Sequence, residues 1–265
     1  MKRAGVVAVV LAALTAAGCA SEPQGSNTDP DLVDAVEAPA EGTCRVLAPA
    51  DVAKPVNATQ TTPCTDRHTA ETFHVAETPD ELEEVEYDDP AVADFAYQRC
   101  STQFRKFIGA DASNALRTVL SWAWFRPSRQ AWGDGARWIR CDVIGGTAEA
   151  EKLRILPGTT RGVLSGRPKD RWLVCAAGRA FRAATKVPCD EAHDWRAVTT
   201  IKVGEPEDPY PGDDTVASRT DSFCESSVRA WLNYPADYEF AITWFDEQQW
   251  DAGNRLSVCW ARTTE

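Results

Sequence analysis

Two histidines belong to a short motif that the chain writes twice. Pro63-Cys64-Thr65-Asp66-Arg67-His68 returns as Pro188-Cys189-Asp190-Glu191-Ala192-His193, 125 residues later (189 − 64). In both copies an acidic residue lies two positions after the Cys, and the His lies four positions after it. Such a His can act as a general base, ligate a metal, or pack in a turn.

The surrounding sequence favours the packed turn. A catalytic base needs a nucleophile or a metal within reach, and the chain has neither a Gly-x-Ser-x-Gly elbow nor a phosphate-cradling loop. A metal needs further ligands, and the third His, His74, has no counterpart in the second copy. We therefore predict no catalytic residue, no metal and no cofactor. The alternative is a hydrolase-like envelope enzyme that uses His193 or His68 with nearby carboxylates.

Two tryptophans form the second matched pair. Trp132 and Trp250 are each followed by Gly at the third position and Arg at the fifth, and each lies nine residues before a Cys (141 − 132 and 259 − 250). Either they hold a glycine turn in place or they face a partner. The fixed Gly and Arg offsets favour the turn. With His68 and His193, these are the candidate functional residues.

The cysteines indicate disulfides. Nine are present, and eight remain when Cys19 is set aside. The chain has no Cys-x-x-Cys pair, which disfavours zinc, and an exported chain meets an oxidising space. Four fall in each copy, so three pairings are open per copy. The positions on strands, loops and helices favour first with fourth and second with third: Cys44–Cys141, Cys64–Cys100, Cys175–Cys259 and Cys189–Cys224.

The first residues predict export and anchoring. Lys2 and Arg3 precede an apolar run, and small residues lead to Cys19. Residues 1–19 resemble the signal peptide and lipobox of bacterial lipoproteins, in which the Cys carries acyl chains such as palmitate. Residues 20–41 are polar and predict a disordered tether. We expect a lipid-anchored protein on the extracytoplasmic face of the cell membrane. The net charge of −12 argues against a nucleic-acid partner.

The elements that position these residues predict an α+β fold. Residues 43–143 and 171–262 read as tandem disulfide-stapled repeats, each a small antiparallel sheet with one main helix, and residues 144–170 connect them. Asp88-Asp89-Pro90 begins the first helix, and Tyr210 to Asp214 the second. Apolar residues at helical spacing put Cys100 and Cys224 on the buried faces, the latter with Phe223 and Trp231. Leu153–Leu156 and Val163–Leu164 predict a small hairpin in the connector.

The shared residues resemble the septum-formation domain of actinobacterial envelope proteins. The set is strongest in the second repeat, with Pro188-Cys189, His193, Tyr210-Pro211-Gly212, Cys224, Trp250, Gly253, Arg255 and Cys259. The first repeat lacks Tyr-Pro-Gly and is more divergent. Two tandem copies are expected. The resemblance implies an envelope setting and a link to cell division, and it carries no reaction.

Three functions follow as hypotheses. The first is a non-enzymatic binding or scaffolding module for an envelope protein or wall component. The second is the hydrolase-like enzyme, and the third is a spacer at the division site. An apolar patch between the repeats would favour the binder.

Overall fold

The chain forms two modules of the same α+β design. The computed structural model describes residues 27–147, 150–251 and 253–263. The first module contains α1 Pro30–Val33, β1 Cys44–Arg45, α2 Pro49–Val52, β2 Thr61–Thr62, β3 Ala70–Glu77, α3 Pro90–Ile108, α4 Ala112–Leu116, β4 Ser121–Phe125, α5 Arg129–Gly133 and β5 Trp138–Ile144. Its antiparallel sheet has the order β2-β1-β3-β5-β4, and α3 packs on one face.

The second module repeats this plan. It contains β6 Val174–Ala177, β7 Thr185–Pro188, β8 Trp195–Lys202, α6 Asp213–Trp231, β9 Phe240–Thr243, α7 Glu247–Asp251 and β10 Leu256–Arg262. The order β7-β6-β8-β10-β9 matches the first sheet strand for strand. Even the β-bulge recurs: Phe73 in β3 and Val198 in β8 are the extra residues, 125 positions apart. The predicted α+β class, with a small antiparallel sheet and one main helix per repeat, is confirmed.

Local sequence explains both long helices. The Asp89 side chain accepts a hydrogen bond from the Ala91 amide at 2.9 Å, Pro90 opens α3, and Gly109 closes it with φ 73°. The buried positions of α6 recur every fourth residue: Val216, Thr220, Cys224 and Val228. Phe223 and Trp231, placed on the buried face by the sequence, are instead 37% and 49% exposed. Phe223 points away from that stripe.

The disulfides join different partners from those predicted. The bonds are Cys44–Cys64, Cys100–Cys141, Cys175–Cys189 and Cys224–Cys259, all within one module. The pairing Cys44–Cys141, Cys64–Cys100, Cys175–Cys259 and Cys189–Cys224 is therefore wrong. The cause is strand order: β1 lies beside β2, so Cys44 meets the Cys that follows β2. The helix Cys then faces Cys141 in β5 or Cys259 in β10.

Residues 27–41 are hydrogen-bonded to the first module, which corrects the tether prediction for that stretch. The Asp29 amide donates to the Ala58 carbonyl at 2.8 Å, and the Trp138 indole donates to the Val36 carbonyl at 3.2 Å. Glu41 accepts bonds from His74 and the Val75 amide, both at 2.9 Å. Cys19 and residues 20–26 lie outside the described residues.

The described part of the connector packs on the first module, and in it Leu153–Leu156 does not pair with Val163–Leu164. The Leu156 amide donates to the His68 carbonyl at 2.9 Å, and the Leu164 amide to the Ile108 carbonyl at 2.9 Å. The buried Glu71 carboxylate accepts bonds from the Thr160 amide and hydroxyl at 2.7 and 2.8 Å. Leu156 and Leu164 both pack in the core of the first module, in the cluster that contains Phe107, and do not pair with each other as strands. The hairpin prediction is wrong for this reason.

The two modules contact each other through residues 117–119, which lead from α4 into β4. Thr118 and Leu173 form an isolated antiparallel bridge. The Arg117 guanidinium donates to the Val198 carbonyl at 3.0 Å, and burial lowers its pKa. Trp172, which begins the second repeat, packs in the core of the first.

Candidate functional site

The paired histidines have the same geometry. Nδ1 of His68 lies 2.8 Å from the carbonyl oxygen of Asp66, and Nδ1 of His193 lies 2.8 Å from that of Glu191. A carbonyl oxygen only accepts, so each Nδ1 carries the hydrogen. The rings are 0% and 6% exposed, and Nε2 of each is buried without a hydrogen-bond partner in the described part of the chain.

This geometry ties the ring to the loop that carries the disulfide. The acidic residues contribute backbone oxygens and not carboxylates to the rings. The Glu191 carboxylate instead lies 2.9 Å from Nη1 of Arg154, and the Asp194 carboxylate accepts from the Gly178 amide at 2.8 Å. The carboxylate that a base at His193 would use is therefore turned to other partners.

The paired tryptophans build a turn. Trp132 and Trp250 are 6% and 3% exposed. The Arg137 guanidinium lies 4.2 Å from the centroid of the Trp132 ring, and the Arg255 guanidinium 3.5 Å from that of Trp250. Each Arg also donates through Nη1 to the carbonyl of its Trp. These tryptophans therefore have little surface for a partner.

Glycine is required in this turn because the backbone is left-handed. Gly135 has φ 99° and Gly253 has φ 96°, a region that side chains with a Cβ rarely adopt. The amide of each Gly donates to the carbonyl of the Trp three residues earlier, at 3.1 and 2.8 Å. The Trp, Gly and Arg of the motif thus form one unit.

A tyrosine completes the turn in both modules, and sequence reasoning missed the first. The ring centroids of Tyr87 and Trp132 lie 5.9 Å apart, and those of Tyr210 and Trp250 lie 5.7 Å apart. Tyr87 therefore fills the place of Tyr210, although the Pro-Gly that follows Tyr210 is absent. A Tyr directly before a helix start is the signal that was available. A hydrogen bond to Asp213 raises the pKa of Tyr210 to about 12.

An apolar groove of about 720 Å³ lies between the modules. One wall comes from the first module, where the rings of Tyr97 and Trp122 meet edge to face at 5.3 Å and Leu116 is 39% exposed. The other wall is the turn of the second module, including Gln248 and Asn254. Burial raises the pKa of Tyr97. Trp122 packs against the core of the first module and also lines this groove, a position that only the docking of the modules reveals.

A buried charge network distinguishes the first module. Asp142 is 0% exposed, accepts from Arg140 Nε at 3.1 Å and from the Thr72 hydroxyl at 2.7 Å. Arg45 Nη1 donates to that hydroxyl at 2.7 Å, and burial, with Arg140 nearby, lowers the pKa of Arg45 to about 10. The matching positions of the second module are apolar: Ala176, Val258 and Trp260.

The described ranges hold neither a cluster of metal-ligand side chains nor a membrane-spanning helix. Across residues 27–147, 150–251 and 253–263, no three His, Cys, Asp or Glu side chains cluster as metal ligands would. Within those same ranges, every helix is too short or too polar to span a bilayer.

The fold and the duplicated turns define a disulfide-stapled α+β protein of two modules, whose matched residues hold loops in place. The chain belongs to the Septum formation family, which it matches over residues 41–259. The match runs in one stretch through both modules. Neither the curated proteins nor the solved structures include a match.

Proposed function

We propose that this chain is a lipid-anchored envelope protein that acts in cell division by binding another envelope protein, without catalysing a reaction. The family ties the chain to septum formation. The groove between the modules carries the rest of the proposal. Its lining combines Tyr97, Trp122 and Leu116 with Gln248, Asn254 and Arg105. Aromatic residues and Arg are enriched in protein interfaces, where polar side chains surround them.

The histidines support a non-catalytic role. Each ring is held by a backbone carbonyl beside a half-cystine, and the arrangement occurs twice. A structural role in two equivalent loops explains why the ring occurs twice. A single reaction would need only one such ring.

The division role is tested in cells from which the wild-type protein has been removed and in which the Trp122→Ala or Tyr97→Ala variant is produced instead. We expect these variants to remain folded, with some loss of stability because Trp122 and Tyr97 pack on each other, yet to produce elongated cells with fewer septa. Trp231→Ala is the matched control, because Trp231 is 49% exposed and does not line the groove. Normal septation in the groove variants would refute the proposal. If the protein supports normal septation with a wall fragment bound in the groove, the partner is a wall component and not a protein.

The anchor rests on the small residues before Cys19 and is tested separately. Cys19→Ser should release the chain from the membrane fraction or leave it unprocessed. Mass spectrometry of the wild-type mature chain should find acyl groups on Cys19, and an unmodified N-terminus would refute the anchor.

A further inference from the structure

A second cavity, of about 820 Å³, lies where the two copies of the Pro-Cys motif approach each other. Arg67 comes from the first copy, and Pro188, Asp190 and Glu191 come from the second. The connector and the start of the second repeat supply the other walls. This cavity shares no lining residue with the groove between Trp122 and Asn254.

Cations outnumber carboxylates around this cavity. Its lining includes Arg67, Lys152, Arg154 and Arg171 against Asp190 and Glu191. Arg154 and Glu191 compensate each other at 2.9 Å. In the described ranges neither Arg67 nor Arg171 pairs with a carboxylate. A local excess of positive charge runs against the net charge of −12.

The floor of the cavity is apolar. Leu153, Leu156 and Trp172 line it and are 7%, 4% and 9% exposed. Ile155 stands beside them at 38% exposed. The Arg171 guanidinium lies 5.2 Å from the centroid of the Trp172 ring, so one cation sits directly beside the apolar floor.

We propose that this cavity binds a ligand in which one phosphate or carboxylate group is joined to an apolar body. The planar forks of Arg67 and Arg171 match the oxygen geometry of such anions. The apolar body covers Ile155, the exposed apolar side chain of the lining, and removes its surface from water. This site is independent of the proposed binding groove. A lipid phosphate headgroup and a soluble organic phosphate share the required chemistry.

Calorimetric titration of the full chain in a non-ionic detergent tests the proposal. The probes are phenyl phosphate, dihexanoyl phosphatidic acid, inorganic phosphate and phenol. Both organic phosphates are expected to bind about tenfold or more tightly than phenol, which lacks the charge, and than inorganic phosphate, which lacks the apolar body. Added salt should weaken both. The tighter of the two identifies a lipid or a soluble source.

Matched variants assign the binding to this cavity. Arg67→Gln with Arg171→Gln should weaken phenyl phosphate binding about tenfold or more. Arg167→Gln with Arg179→Gln removes the same charge from exposed positions outside the cavity and should leave the affinity unchanged. The proposal is overturned if neither organic phosphate binds better than phenol, or if both double variants behave like the wild type.

Discussion

Nδ1 of His193 lies 2.8 Å from the carbonyl oxygen of Glu191, and the same contact joins His68 to Asp66 in the first module. In both cases the bond spans two residues and leaves Nε2 buried. The rings therefore act on the loops that carry Cys64 and Cys189.

Replacing either histidine should destabilise its module to a similar degree. His193→Ala and His68→Ala each empty a buried site and free a carbonyl, which costs about 1–3 kcal/mol of unfolding free energy. Denaturant unfolding of each variant measures this. His74→Ala is the control, because His74 is partly exposed and its hydrogen bond is to the exposed Glu41 carboxylate, so this change should cost less. A single His whose loss leaves stability unchanged but abolishes function would point to catalysis.

The disulfide pattern gives the second prediction. A non-reducing peptide map should recover the helix-to-strand bonds Cys100–Cys141 and Cys224–Cys259. It should also recover Cys44–Cys64 and Cys175–Cys189, each of which joins a strand to the loop after the neighbouring strand. Removing Cys100–Cys141 as a pair should cost about 3–4 kcal/mol, because the bond closes a loop of several tens of residues. A map with bonds between the modules would contradict the modular fold.

The buried network gives the third prediction. Asp142→Ala leaves Arg140 buried without its carboxylate, and breaking such a pair costs about 3–5 kcal/mol. Thermal unfolding should show this loss. Glu239→Ala is the control, because it breaks the exposed pair with Arg262 in the second module and should change stability little. Equal effects from the two variants would contradict the account of Asp142.

Local signals in the sequence predicted the elements well. Asp89 and Pro90 define the start of α3 through a cap and a fixed φ, which depend on neighbouring residues alone. Most of the buried helix positions and the α+β class were also predicted from local patterns of apolar residues. The likeness of the two copies also predicted one plan for both modules, because matched spacing requires matched elements.

The predictions that failed were those that depend on contacts between residues distant in sequence. Cysteine pairing depends on which strands are neighbours, and nothing near Cys44 states that β2 lies beside it. Leu156 packs in the core of the first module with Phe107 and does not form the predicted hairpin, and this contact is distant in sequence. Arg140 and Asp142 alternate with apolar residues in β5, a pattern that indicates a charged pair on one buried face. The groove at Trp122 exists only once the modules dock.

The most direct test of the binding role places a photo-crosslinking amino acid at position 122 in growing cells. The account predicts one discrete adduct with another envelope protein, lost when Tyr97→Ala is added and absent when the probe replaces Trp231 instead. The captured protein, once purified, should bind the wild-type chain and fail to bind Trp122→Ala. No adduct at position 122, or the same adducts at positions 122 and 231, would contradict the claim that the groove holds a partner.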